Sequence, residues 1–209
     1  GVYNVRIPRA QEILGEERTV HTAEHLASAM FYLGVPHTEI PRAKLFPGPP
    51  PIDGLYAVLH PAASAPDKTW PAARFAELAR RLREEWSLEP VFIGAASDDL
   101  EPFREFRRFA GEPLGRVISL IAGAELLAGN DSGPAHIAAA CGVPLAVLFG
   151  PSNPAIWGPW KTPAAVFHSP EGLERVRVEE VFEGLAKLRG GLRPGGSVSE
   201  PEHARRPAP

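Results

Sequence analysis

The stretch GNDSGPAHIAAACGVPLAVLFGP, residues 129–151, places an acidic residue, a serine and a Gly-Pro pair between two apolar runs. ELLAG (residues 125–129) leads into it and PLAVLFG (residues 144–150) closes it, and both have the length and composition of buried strands. Residues 134–141 favour a helix, and proline is typical of a helix start. This order predicts two parallel strands joined by a crossover helix.

The same alternation extends to both sides of this unit. The sequence predicts further strands at residues 55–60, 90–94 and 164–168, and helices at residues 22–33, 71–86, 100–110, 117–124 and 178–188. Strands that alternate with helices at this pitch form a parallel sheet with helices on both faces. The predicted fold class is therefore α/β and Rossmann-like.

Proline marks the expected domain organisation. Six prolines in the segment GVPHTEIPRAKLFPGPPPIDG are typical of a linker, since proline interrupts helices and central strands. We expect the end of an N-terminal domain in residues 1–41, a linker in 42–54, the Rossmann-like domain in 55–189 and a disordered tail in 190–209. The tail has too few apolar residues to offset its ordering entropy. The chain has no initiator Met, so we expect a fragment.

The bulk composition excludes several classes of protein. The 209 residues are 44% hydrophobic and carry a formal net charge of -3, so the chain can bury a core and has no general attraction for nucleic acid. Its single cysteine, Cys141, fits a reducing compartment. The sequence shows neither a secretion leader nor an apolar run of about 18 residues, so we expect a cytoplasmic protein.

The turn within the opening stretch is a candidate anion site. Ligands of an open parallel sheet bind beyond the carboxyl ends of its strands, and the first N–H groups of a helix attract phosphate. Gly133 and Pro134 open that helix, Gly133 allows close approach, and the Ser132 hydroxyl adds a donor. Asp131 would repel phosphate unless it binds ligand hydroxyls, holds the turn's amides or is offset by a cation. Alternatively, Asp131 or Ser132 is only a helix cap and His136 an ordinary helix residue.

A second loop in the equivalent place favours the functional interpretation. HPAASAPDKTWP, residues 60–71, also runs from a strand end to a helix start. It carries hydroxyls at Ser64 and Thr69 and a cation at Lys68. Two such loops at one edge of the sheet predict a ligand with two phosphates, with Lys68 as its counter-charge.

Two further pairs of residues have alternative interpretations. His21 and His25 have the spacing of a helical metal pair, but without a third ligand they are expected to be ordinary surface or interface residues. Trp157 and Trp160 have the chemistry to stack on a sugar or base, but packing of their loop against the sheet is expected at least as much.

The motif DKTWP, with the amphipathic helix after it, and the stretch GNDSGPAHIAAACGVPLAVLFGPSNPAIWGPW together resemble glycosyltransferase family 9. These are the ADP-heptose lipopolysaccharide heptosyltransferases, and the resemblance runs over residues 2–188. It implies that the Rossmann-like sheet is the C-terminal, donor-binding domain of a two-domain GT-B fold, preceded by a remnant of the N-terminal domain.

The resemblance also assigns roles to the candidate residues. It implies that Lys68 contacts the donor's diphosphate, and that the motif Asp131, Ser132, Gly133, Pro134 and His136 faces the phosphates or the sugar. An acidic residue that holds the ribose hydroxyls is implied after the second strand. Both Asp98 and Asp99 fit that position, and the sequence leaves the choice open.

The implied activity is transfer of a sugar, heptose or similar, from an ADP-activated donor to a lipopolysaccharide-core or similar saccharide acceptor. The family's catalytic base lies early in the N-terminal domain, so we expect no catalytic residue in this chain and donor binding alone. The implied partners are the lipid-linked acceptor and the N-terminal domain, with peripheral contact at the inner face of the membrane through the acceptor.

We expect no cofactor and no obligatory metal. Lys68 and a helix start supply positive charge for a diphosphate, and Asp98 and Asp99 are adjacent and so lack the D-x-D spacing of a metal-binding pair. The alternatives are a nucleotide-sugar epimerase of the same fold and a non-catalytic nucleotide-sugar binding module. A Rossmann oxidoreductase is disfavoured because G-x-G-x-x-G does not follow the first strand.

Overall fold

A computed structural model of the chain describes residues 6–191. Two helices come first, α1 (Ala10–Leu14) and α2 (Thr22–Tyr32). The elements of the sheet and its helices then follow in the order β1 (Tyr56–His60), α3 (Ala72–Trp86), β2 (Glu89–Gly94), β3 (Arg107–Ala110), α4 (Leu114–Ala122), β4 (Leu126–Asn130), α5 (Gly133–Cys141), β5 (Leu145–Phe149), α6 (Pro154–Trp157), β6 (Ala164–His168) and α7 (Val178–Gly191).

The six strands form one parallel sheet in the order β3-β2-β1-β4-β5-β6. This confirms the predicted α/β, Rossmann-like class. The chain reverses its direction of travel across the sheet between β1 and β4, where His60 pairs with Gly129. Open α/β sheets bind ligands at such a switch point.

Alternate residues of the central strands divide the core into two layers. On β1, Ala57 and Leu59 face the layer that holds α3 and α7. Tyr56 and Val58 face the opposite layer, which holds α4 and α5. All residues of β1, β4 and β5 are buried, as expected for central parallel strands covered on both faces.

The helix predicted at residues 100–110 is wrong. A 3-10 turn, Glu101–Phe103, is followed there by the edge strand β3. Phe103 and Phe106 have helical spacing, but both pack on Phe92 of β2, with ring centroids 4.0 and 5.3 Å away. Tertiary stacking and pairing with β2 therefore replaced the local helical preference.

The proline-rich segment packs on the sheet domain without forming a helix or strand in residues 35–55. Pro50 closely approaches Gly123, where an added Cβ would lie 2.5 Å from the Pro50 Cβ. The indole N–H of Trp160 donates to the Pro41 carbonyl over 3.1 Å. The predicted boundaries between domain, linker and sheet domain stay a prediction.

The predicted disordered tail, residues 190–209, lies only partly within the described residues. Residues 190 and 191 are the last turn of α7 rather than tail, and the rest of the predicted disordered tail lies outside the described residues. Within residues 6–191, none of the helices is long and apolar enough to cross a membrane.

Candidate functional site at the strand ends

Two loops leave the sheet side by side at the switch point. Residues 61–71 follow β1 and contain the 3-10 turn Pro66–Lys68, and residues 131–132 join β4 to α5. Because β1 and β4 are hydrogen-bonded neighbours, the two predicted phosphate loops meet at one edge of the sheet. The structure therefore brings together the two motifs on which the sequence interpretation depends.

Asn130, the last residue of β4, connects the two loops through its side chain. Its side chain is fully buried. The Oδ1 atom accepts from the Trp70 N–H over 3.0 Å, and Nδ2 donates to the Pro61 carbonyl over 2.7 Å. One amide thus fixes both ends of the first loop to the strand that leads into the second.

The loop that carries Lys68 is held from two further sides. The Trp70 indole N–H donates to the Val176 carbonyl over 2.9 Å. Gly150 lies so close to the turn that an added Cβ would be 2.3 Å from the Asp67 carbonyl oxygen. Lys68 itself is half-buried, and no carboxylate of residues 6–191 lies within ion-pair distance of it. The loop presents a cation on a fixed backbone.

The two predicted hydroxyls of this loop have different environments. Thr69 donates its hydroxyl proton to the Ala65 carbonyl over 2.9 Å, which closes the turn around Lys68. Ser64 is exposed at the loop surface. Thr69 therefore stabilises the turn, whereas the Ser64 hydroxyl faces solvent.

Ser132 is engaged below the second loop rather than capping the helix. Its Oγ donates to the Asn130 carbonyl over 3.0 Å and lies 2.9 Å from the His60 Nδ1. Its side chain makes no cap bond to α5, so the N-cap alternative does not hold for it. Gly129 makes room for this contact, since a Cβ there would lie 3.1 Å from the His60 carbonyl oxygen.

The start of α5 is open to a ligand. An added Cβ at Gly133 would meet no atom within 4 Å. The Ser132 carbonyl accepts from the Ala135 N–H over 3.1 Å, and Pro134 has no N–H. Within the described part of the chain, the N–H groups of Ser132 and Gly133 have no acceptor. Two free donors therefore lie at the positive end of a nine-residue helix.

Asp131 and His136 are electrostatic neighbours at this helix start. The backbone N–H of Asp131 donates to the Leu148 carbonyl over 2.9 Å, which leaves the half-buried carboxylate beside the open turn. The protein around the ring lowers the pKa of His136, and the Asp131 carboxylate partly opposes that shift. The motif thus combines an anion with a ring that favours its neutral form.

The two acidic candidates after β2 differ in where their carboxylates are held. Asp98 Oδ2 accepts from the Ala95 N–H over 2.7 Å, and Asp99 Oδ1 accepts from the Glu101 N–H over 2.9 Å. Asp98 lies against the end of β2, where a Cβ added at Gly94 would be 3.1 Å from its Cβ, and of the two carboxylates it is the one that acts on the pKa of His60. Both line a cleft of about 350 Å³ that also borders Ala62, Ala63 and Thr69 of the first loop.

Of the two histidines at the start of α2, His21 has a structural role. His21 is the N-cap of α2, where its Nδ1 accepts from the Ala23 N–H over 3.0 Å and its Nε2 donates to the Gly158 carbonyl over 2.8 Å. Its ring stacks on Trp160 at 4.6 Å between centroids. Both ring nitrogens are occupied, so His21 and the exposed His25 do not form a metal pair. Residues 6–191 contain no cluster of three or more metal-ligating side chains.

Sequence reasoning missed three residues that shape the site. His60 and Asn130 end apolar strands, and Gly150 follows a third strand. A polar residue at the carboxyl end of a buried strand is the signal that would have identified His60 and Asn130. The close approach at Gly150 depends on two segments that are far apart in the sequence.

The fold and these loops define a class: an α/β protein with a Rossmann-like sheet and a candidate anion site at its switch point. The family model of glycosyltransferase family 9 (heptosyltransferase) matches residues 29–185, and the chain belongs to this family. This confirms the resemblance carried by the two motifs.

Relatives and solved structures agree with this assignment. Lipopolysaccharide heptosyltransferase 2 of Escherichia coli K12 is 35% identical over 135 residues, which cover 59% of this chain and 38% of that protein. The structure of E. coli ADP-heptose lps heptosyltransferase II matches with a TM-score of 0.56 and 30% identity, over 65% of this chain and 46% of that one. A glycosyl transferase family 9 structure from Veillonella parvula has a TM-score of 0.71 at 24% identity, over 83% and 61%. The chain thus spans less than half of the first two proteins.

Proposed function

We propose that the described residues form the donor-binding half of a heptosyltransferase-like enzyme. In this proposal the whole enzyme transfers heptose or a similar sugar from an ADP-activated donor to a lipopolysaccharide-core or similar acceptor. The observation that carries it is the meeting of the Lys68 loop and the open α5 start at the β1–β4 switch point, both fixed by Asn130.

The diphosphate of the donor fits between these two loops. Lys68 is a cation without a carboxylate partner in the described residues, and the N–H groups of Ser132 and Gly133 are free to donate. Charge-assisted bonds to a diphosphate are stronger than bonds between neutral groups. Asp131, at the edge of this site, is suited to accept from hydroxyls of the transferred sugar rather than to contact phosphate.

We assign the ribose contact to Asp98 rather than Asp99. Each carboxylate accepts one backbone N–H, Asp98 from Ala95 and Asp99 from Glu101, so these bonds do not distinguish the two. The position of Asp98 does: a Cβ added at Gly94, the last residue of β2, would lie 3.1 Å from the Asp98 Cβ, and the Asp98 carboxylate acts on the pKa of His60 at the end of β1. A carboxylate accepts from two ribose hydroxyls at once, which suits a nucleoside diphosphate.

In the proposed sugar transfer, the donor-binding half stabilises the leaving group. In transfer, the bond from the sugar's anomeric carbon to the diphosphate oxygen breaks, and a bond to the acceptor oxygen forms. Lys68 and the α5 start stabilise the negative charge that develops on the departing ADP. A base must take the acceptor's proton, and we place it in the N-terminal domain of the whole enzyme. The lipid-linked acceptor, the peripheral membrane contact and the cytoplasmic location stay predictions.

We propose that donor binding needs no metal ion. Lys68 and the N-terminal end of α5 supply positive charge at the diphosphate, and a chelator should leave the affinity unchanged. Affinity that disappears in EDTA and returns with Mg²⁺ would contradict this part of the proposal.

Calorimetric titration with ADP tests the donor assignment, with UDP and NADH as comparators. We expect ADP to bind most tightly, and Lys68→Ala to weaken it by about 1.5–3 kcal/mol, the value of a charged hydrogen bond. Lys44→Ala is the matched control, since Lys44 is an exposed lysine of the linker segment. Preference for UDP or NADH would overturn the ADP-sugar assignment.

A further inference from the structure

His60 lies where the two loops leave the sheet and has one ring nitrogen without a partner among residues 6–191. Its side chain is only 8% exposed, and its Nδ1 contacts the Ser132 Oγ. We propose that the Nε2 atom of His60 accepts a hydrogen bond from a sugar hydroxyl of the bound ligand. This inference rests on the ADP-sugar donor proposed above and adds a residue to its recognition.

The bonds of Ser132 determine which nitrogen of His60 carries the proton. The Ser132 hydroxyl has one proton, and the Asn130 carbonyl 3.0 Å away can only accept it. The Ser132 oxygen must therefore accept from His60, so Nδ1 is the protonated nitrogen. In the neutral ring, Nε2 then carries a lone pair.

The ring stays neutral at physiological pH. Burial lowers the pKa of His60 to about 4, and the nearby Asp98 carboxylate opposes this shift only in part. A neutral ring with Nδ1 protonated presents an acceptor, not a donor, at Nε2. Phosphate oxygens are acceptors and find no partner there, whereas a hydroxyl group does.

The Nε2 atom keeps some solvent-accessible surface. Among residues 6–191 no side chain or backbone group bonds to it, whereas every side-chain nitrogen or oxygen of that region that is fully shielded from solvent has a partner. His60 ends β1 beside Gly129, and its ring contacts Ser132 directly before α5, so the ring lies where the two loops leave the sheet.

A nucleotide sugar offers two sources of such a hydroxyl, the ribose and the transferred sugar. Both present the same chemistry, an alcohol that donates to a neutral imidazole. A ligand series that removes or adds one source at a time separates them.

Two substitutions test the two ring nitrogens of His60 separately. His60→Asn places an amide nitrogen where Nδ1 lies and keeps the Ser132 bond, but has no atom at Nε2. His60→Gln places an amide oxygen near Nε2 and loses the Nδ1 position. We expect His60→Asn to weaken binding about 5- to 10-fold, the value of one hydrogen bond, and His60→Gln to stay within about 3-fold of wild type.

Titration of the 209-residue chain with ADP, 2′-deoxy-ADP and ADP-glucose gives the readout. A His60→Asn loss with ADP that disappears with 2′-deoxy-ADP identifies the ribose 2′-hydroxyl, and an equal loss with both indicates the 3′-hydroxyl. A loss confined to ADP-glucose identifies the transferred sugar. If His60→Asn binds all three ligands with wild-type affinity, the His60 inference is overturned and the proposed function is not. The same holds if only His60→Gln loses affinity.

Two further results bear on the proposal independently. Failure of the wild-type chain to bind any of the three ligands overturns the proposed function, and this inference with it. Nitrogen-15 NMR of the unliganded wild-type chain should show that Nδ1 of His60 is protonated and Nε2 is unprotonated near neutral pH. A proton on Nε2 would overturn the inference without any variant.

Discussion

The side-chain oxygen of Asn130 accepts the backbone N–H of Trp70 over 3.0 Å, which joins the end of β4 to the end of the Lys68 loop. The two residues are 60 positions apart in the sequence. Because Asn130 is fully buried, this bond is shielded from water. This amide therefore connects the two loops directly, in addition to the contacts of the Lys68 loop with Val176 and Gly150.

Replacing Asn130 by alanine should destabilise the fold and weaken ADP binding together. The change leaves the Trp70 N–H and the Pro61 carbonyl buried without partners, at about 1–3 kcal/mol each. We expect the free energy of unfolding in urea to fall by about 2–6 kcal/mol. The affinity for ADP should also decrease, because the loop that carries Lys68 is no longer fixed. Ser64→Ala, an exposed position in the same loop, is the control for stability.

Asn130→Asp keeps the acceptor of one bond and removes the donor of the other. A carboxylate still accepts from Trp70 but faces the Pro61 carbonyl with no proton to donate. We expect a loss at least as large as for alanine. If both variants unfold at the wild-type urea midpoint, Asn130 does not fix the loops as described.

Gly150→Ala should displace the Lys68 loop from the other side. The new Cβ would lie 2.3 Å from the Asp67 carbonyl oxygen, so the backbone of the turn must move. We expect a stability loss of about 1–3 kcal/mol and weaker ADP binding, measured by thermal unfolding and calorimetry. Gly115→Ala is the matched control, since an added Cβ there meets no atom within 4 Å and alanine favours a helix. A Gly150→Ala chain with wild-type affinity would show that the turn does not depend on Gly150.

Periodicity in the sequence was sufficient to predict the class of fold and to place the two motifs at strand ends. The four inner strands were predicted because they are continuous apolar runs, and the edge strand β6 because AAVFH is also mostly apolar. The edge strand β3 was missed because Arg107 and Arg108 are exposed and carry no apolar signal. The roles of His60 and Asn130 also depend on contacts across 60 residues or more, which local patterns do not contain.

Burial of His60 should make stability depend on pH. The folded state lowers its pKa to about 4 from an ordinary value of 6.5, so the unfolded chain binds the proton more tightly. The stabilisation is therefore complete above about pH 6.5 and is lost as pH falls toward 4. Between about pH 7 and pH 5 the loss amounts to about 2 kcal/mol.

Urea unfolding of wild type and His60→Asn at both pH values isolates this effect. Contributions of the other titrating groups are common to both chains and cancel in the difference. We expect wild type to lose about 2 kcal/mol more than His60→Asn on going from pH 7 to pH 5. Equal losses in the two chains would mean that His60 is protonated as readily in the folded state as in the unfolded state.

His21 should stabilise the packing of α2 on the sheet domain, whereas His25 should not. His21→Ala removes the cap on the Ala23 N–H, the bond to the Gly158 carbonyl and the stacking on Trp160. A lost N-cap alone costs about 0.5–2 kcal/mol, so we expect a decrease of about 1–3 kcal/mol in the free energy of unfolding. The exposed His25, replaced by alanine, should change it by less than about 0.5 kcal/mol.

His21→Asn distinguishes capping from docking, because asparagine is a good N-cap but is too short to reach Gly158. If the cap dominates, His21→Asn will match wild type in thermal unfolding. If the contact with residues 158–160 dominates, it will behave like His21→Ala, and hydrogen exchange will accelerate in α2 while β1 and β4 stay protected. We expect the second result, because the bond to Gly158 and the ring stacking connect α2 to the sheet domain across more than 130 residues of chain.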